Sequence, residues 1–207
     1  MDGALEDLRR EALRVHSRYL DEVVRDYGLC PWADRAMRDG RVRRHVITDA
    51  APPPEAALSF IDTIEAQGDG AGVDVGFVIY PRLTLTAAAF DGYAERLRRA
   101  DQTRRLGNQR PGFLMAAFHP FGAERFTTPF QMVSFIRRTP DPTIQLVRAD
   151  LLQAIRAERD DVSGEIARQN HTRVSDKGAA QLDTLLRDIR SDRDAVYASL
   201  GVVVENP

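Results

Sequence analysis

One cysteine, Cys30, one lysine, Lys177, and one tryptophan, Trp32, stand in a chain of 207 residues. A single thiol excludes an internal disulfide, and MDGALEDLRREALRVHS has no apolar core of signal-peptide type, so the expected compartment is the cytoplasm. No apolar run approaches the roughly 18 residues that a membrane-crossing helix needs, and no membrane partner is expected. An excess of one charge is also missing. The 29 basic and 31 acidic residues leave a net charge of −2, which provides no global attraction to nucleic acid. The near-absence of lysine beside abundant arginine reads as codon bias in a GC-rich bacterial genome. The chain has no GxGxxG or GxxxxGK(S/T) phosphate loop, no CxxC, no HExxH and no GxSxG, which argues against dinucleotide, nucleoside triphosphate and structural zinc chemistry. It has no internal repeat.

The 43% hydrophobic content is enough for one substantial core. Leu5, Leu8, Ala12, Val15, Tyr19, Leu20, Val23, Val24 and Tyr27 recur at spacings of three and four, which predicts a helix over residues 4–27 stopped by Gly28. Pro31 suits the first turn of a short helix reaching Asp39-Gly40. RVRRHVIT at 41–48 alternates as a half-exposed strand, Glu55 to Gln67 follows as a helix, and Val73 to Tyr80 is apolar enough for a central strand. A helix from Thr86 to Arg99 and a strand from Gly112 to His119 come next. Gln131 to Arg138 fits a short helix or an extended piece. Thr143 to Val147 reads as a final strand, and Asp150 caps a helix to about Arg159. Ser163 to Leu200 reads as helical with a break near Ser191. The alternation predicts an α/β fold, a single layered domain with a central sheet of about four strands flanked by helices. Residues 1–162 form its core, and 163–207 form a helical extension packed on the same domain.

Three groups of side chains offer chemistry. Cys30 follows a glycine-stopped helix and precedes another, where the positive end of a helix dipole favours thiolate; its alternative reading is a small buried hydrophobe. His119 ends a strand just before a proline and a long Pro/Gly-punctuated loop, in the region where α/β sheets place ligands; its alternative is a strand-end histidine bonded to backbone. Arg137, Arg138 and Arg148 bracket the Thr139-Pro140-Asp141-Pro142 turn, and Arg82 follows Tyr80-Pro81. Each is a fork of donors suited to a carboxylate. His16, His45 and His171 read as solvated. Zinc on Cys30 and His119 would need two further ligands that no spacing supplies.

GLCPWA at 28–33, Tyr80-Pro81-Arg82, FHP at 118–120 and RTPDPTIQLVR at 138–148 stand in an order that resembles the domain-of-unknown-function family numbered 1415. That family reads approximately GLCPFA, HP, FHP and NRSPYPTLHLLRE. Arg137, Asp141 and Gln145 depart from it, standing where the family has asparagine, tyrosine and histidine. The layout is also similar to the more distant YqcI/YcgG family, which includes haem proteins that oxidise nitrogen in small molecules. That resemblance implies a haem-dependent oxidoreductase on a small amino-acid-like or nitrogenous substrate. Cys30 and His119 would serve as iron ligands or as ligand and acid/base, Arg138 and Arg148 would hold propionates or a substrate carboxylate, and Arg82 and Arg137 would bind substrate. Two other readings stay open: a cofactor-free enzyme with Cys30 as nucleophile and His119 as base on a small anionic substrate, or a non-catalytic binding or assembly protein. The last leaves room for a homodimer.

Overall fold

Val75-Gly76-Phe77-Val78-Ile79 contains no polar side chain, so a strand made of it must be covered on both faces. It forms β2 (Val75–Ile79), buried at every position. The computed structural model describes residues 2–30, 33–67, 72–105, 112–151, 153 and 162–202. β1 (Val42–Val46) pairs parallel to β2 on one side, β4 (Thr143–Arg148) antiparallel on the other, and β3 (Phe113–Phe118) antiparallel to β4, giving the order β1-β2-β4-β3. The last strand in sequence is therefore an inner strand. Register sets Phe77 between Arg44 and Gln145, and Gln145 opposite Ala116.

Two cores follow from the alternation of side chains across the sheet. On one face, Val42, Val46, Val75, Phe77 and Ile79 pack against α1 (Asp2–Arg18), a π-helix (Tyr19–Arg25), α5 (Pro129–Ile136), α6 (Val162–Lys177) and α7 (Ala179–Ser199). On the other face, Val78, Tyr80, Phe113, Ile144 and Leu146 pack against α3 (Pro54–Glu65) and α4 (Ala87–Arg104). Gly76 lets α3 approach this second face. A Cβ there would stand 3.1 Å from both Ile64 and Leu146 side chains.

Several expectations are corrected. The long N-terminal helix is not uniform: Asp26 N–H donates to Asp21 O and Leu29 N–H to Val24 O, both spanning five residues, so its last part is a π-helix. The break in the C-terminal helices falls at Gly178, not near Ser191, because Gly178 takes φ +105°. The ambiguous Gln131 to Arg138 stretch is helical as far as Ile136, since Thr128 accepts from Gln131 N–H and Pro129 occupies the first turn. The helix expected from Asp150 to Arg159 lies for the most part outside the described residues, as do Pro31 and Trp32.

Candidate functional site: a thiol-walled cavity beneath the sheet

Gly28 takes φ +62°, the left-handed turn that ends the π-helix and hands the chain to Cys30. α6 pins this loop. Arg173 donates to Gly28 O, while Lys177 donates to Asp26 O and its ammonium lies 5.4 Å from the Tyr27 ring centroid. Cys30 thus sits on a tethered turn ahead of α2 (Ala33–Arg38). It lines a cavity of about 30 Å³ between the π-helix and the first sheet face. The π-helix supplies Tyr19, Leu20 and Val24 to its wall, and the sheet supplies Phe77, Phe118 and Gln145. Hydrogen bonding across five residues is what brings Tyr19 and Val24 onto one face.

The wall is mostly apolar with a polar corner. The Tyr19 hydroxyl donates to Ile136 O at 2.6 Å. Burial pushes its pKa above the ordinary tyrosine value, and it feels the charges of both Arg137 and Cys30. Among the described residues Gln145 contributes the only side-chain amide of the lining. The Arg137 guanidinium carbon lies 5.2 Å from the centroid of the Phe118 ring. Arg137 O accepts from His119 N–H at 3.1 Å and Thr139 N–H at 3.0 Å, so the backbone beneath that side chain is held. Desolvation lowers the Arg137 pKa, and a guanidinium stays charged nonetheless.

His16 is corrected from solvated to fully buried. Its ring meets Phe77 edge-on at 4.7 Å, and neither ring nitrogen has a hydrogen-bond partner among the described residues. Burial pushes its pKa down to about 3, with the Arg44 charge acting in the same direction. The stripe foreshadows this place, because Ala12, His16 and Leu20 are four apart on one helix face. His45 is exposed and stacks on Phe60 at 5.1 Å. His171 is half-buried on α6.

The sheet separates the two groups expected to converge. Phe118 faces the cavity with Cys30, whereas His119, next in the chain, packs against Phe90 of α4 on the other side. Both His119 nitrogens are engaged by backbone: Nε2 lies 2.9 Å from Leu85 O, and Nδ1 accepts from Phe121 N–H at 3.2 Å. Those partners set the Nε2–H tautomer, and burial lowers the pKa of the ring. His119 therefore ties the end of β3 to the 83–86 segment. Arg138 is buried, pairs with Asp183 at 2.6 Å and stacks on Phe135. Arg148 donates from Nε to Val73 O at 3.0 Å. It pairs in register with Phe113, while Thr143 pairs with Phe118. That places Arg148 at the far end of β4 from the His119 turn, roughly 17 Å away along the strand. Arg82 is exposed and donates to Thr48 O at 3.3 Å.

A haem bound by Cys30 and His119 together does not fit this arrangement, because the sheet lies between them. Among the described residues no three His, Cys, Asp or Glu side chains group as metal ligands. Of the ten described wall residues, sequence reading singled out Cys30. Tyr19 and Val24 were legible only as core, and Gln145 gave one signal, its place where the resembled family has histidine.

A family model described as "Protein of unknown function (DUF1415)" matches residues 11–184. No curated protein and no solved structure matches the chain.

Proposed function

The chain belongs to the DUF1415 family, and from that premise we propose that it is a cofactor-free thiol enzyme acting on a small molecule in the cavity beneath the sheet. One observation carries the reading: a π-helix, a local geometry frequent at functional sites, shapes an apolar cavity whose wall includes the sole cysteine and the Gln145 amide. Cys30 is the group that attacks an electrophilic carbon of the substrate. Gln145 orients that substrate, and Leu20, Val24 and Phe77 exclude water around it. His119 plays no part as a base in this reading, since its two nitrogens hold Leu85 O and Phe121 N–H. The haem-dependent reading finds less support, because it asks Cys30 and His119 to serve one haem, as two ligands or as ligand and acid/base, from opposite sides of the sheet.

The test compares iodoacetamide alkylation of Cys30 at pH 7 in the native protein and in the same protein unfolded in guanidinium. An activated thiol reacts faster when native, here by about tenfold. Slower native alkylation is the behaviour of a thiol that is simply buried, and would overturn the proposal.

A further inference from the structure

Cys30 stands just past the carboxyl end of the π-helix, where unpaired carbonyls gather and the helix carries its negative pole. A thiolate is disfavoured there. α2, which follows, has six residues and opposes that pole weakly. The cover comes from α6. Arg173 donates to Gly28 O and Lys177 to Asp26 O, and residues four apart share one helix face. Val174, between them, is fully buried in the same apolar cluster as Leu29, so this face is anchored against the turn. Other cations around the turn are spoken for. Arg25 pairs with Asp21 at 3.0 Å and lies 4.0 Å from Asp26, Arg35 pairs with Asp39 at 3.6 Å, and Arg41 with Asp74 at 2.8 Å. Arg38 is exposed on α2, and Arg137 stacks on Phe118. Beside Cys30, the titratable group among the described wall residues is the Tyr19 hydroxyl, which donates to Ile136 O. Among the described residues, Arg173 and Lys177 have no carboxylate within ion-pair distance, and both point at carbonyls of the thiol turn.

Resting on the thiol reading above, we propose that Arg173 and Lys177 are positioning residues for Cys30, through which α6 fixes the thiol turn and offsets the negative pole facing the thiolate. They act through the backbone and not through the cavity. Gly28 O belongs to the second residue before Cys30, roughly 7 Å of chain away. That separation falls within the roughly 8 Å over which exposed charges act at physiological salt. Cations that satisfy the last carbonyls of a helix also counter its dipole, so one pair of side chains does both. Lys177 is the sole lysine in the chain. Its stem crosses the Tyr27 ring, with the ammonium 5.4 Å from the centroid, which aims a compact charge at Asp26 O.

The pH midpoint of Cys30 thiolate formation reads this role. It is taken from the pH dependence of iodoacetamide alkylation and from ultraviolet thiolate absorbance, recorded as the difference from Cys30→Ser, which needs no reagent to enter. Lys177→Met and Arg173→Gln are each expected to raise the midpoint by about half a pH unit, and the double variant by about one. Lys177→Arg and Arg173→Lys keep the charge and stay near the wild-type midpoint. In about 1 M KCl the wild-type midpoint moves up toward that of the double variant, because salt screens the two cations. Midpoints unmoved in the neutral variants overturn the proposal. So does an equal rise in the charge-retaining variants without salt dependence, which leaves α6 a purely structural role. The thiol reading fails separately, if native Cys30 alkylates more slowly than the unfolded chain, and the absorbance midpoints still decide the role of Arg173 and Lys177.

Discussion

His16 and Asp141 are buried titratable groups whose pH signatures have opposite sign. The His16 ring has a pKa of about 3 in the folded chain against 6.5 when unfolded. The unfolded chain binds the extra proton, so this contribution to stability is complete above 6.5 and is lost as pH falls toward 3. Asp141, 1% exposed, is pushed up by burial to about 6 from 3.8. The Arg193 guanidinium and the Tyr197 hydroxyl pull the other way without cancelling the shift. Its contribution is present below 3.8 and lost as pH rises through 6. The two slopes oppose one another between those values, and each is at most about 1.4 kcal/mol per pH unit. His16→Phe removes one of them and leaves an apolar ring beside Phe77. Urea unfolding of variant and wild type at pH 7 and pH 5 is expected to show the variant gaining about 2 kcal/mol relative to wild type on acidification. A difference independent of pH would mean that His16 carries its proton inside the fold, and His16→Leu repeats the measurement should the larger ring disturb packing.

The Arg138-Thr139-Pro140-Asp141-Pro142 turn and α7 form one clamp. Arg138 donates to Asp183 at 2.6 Å, Tyr197 donates its hydroxyl proton to Asp141 at 2.9 Å, and Arg193 donates to Pro140 O. Asp183 also pairs with Arg187 at 2.6 Å, but the Arg187 side chain is 57% exposed. Solvent screens that second pair to under about 1 kcal/mol. Asp183→Ala strands the buried Arg138 charge and is expected to cost about 2 to 3 kcal/mol, less than the full penalty for a buried pair because Asp183 is itself partly exposed. Arg187→Ala, measured in the same denaturant series, is expected to cost less than 1 kcal/mol. Equal costs would show that the turn is not held by the Arg138 pair. The motif that stands out most in the sequence thus secures α7 to the mouth of β4. The element that shapes the cavity, the π-helix, is made of Tyr-Leu-Asp-Glu-Val-Val-Arg, whose composition is that of any amphipathic helix.

Across the whole molecule, α7 is part of the core and not an appendage. Leu182, Leu186, Ile189 and Tyr197 are buried in the cluster that also holds Tyr19, Val75 and Phe77. Exposing those four side chains costs about 8 kcal/mol, comparable with the whole stability of a domain. A chain ending at Lys177 is therefore expected to lack a cooperative thermal transition and to elute as aggregate in size exclusion. A truncated chain that melts cooperatively as a soluble monomer would show α7 to be dispensable.

The sequence by itself determined the α/β class, the central position of the β2 run, the stop at Gly28 and the prominence of Cys30, because periodicity, apolar runs and glycine punctuation are local properties. Residues 118 and 119 mark where that local reading ends. Phe118, the last residue of β3, joins Cys30, while His119, just past the strand end, turns away to Phe90. Strand order, the π-helical register, the burial of His16 and the pairing of Arg138 with Asp183 were decided only in the tertiary structure. Each depends on which face of the sheet a side chain meets and on which carboxylate another element brings to it, and neither is written in the spacing of nearby residues.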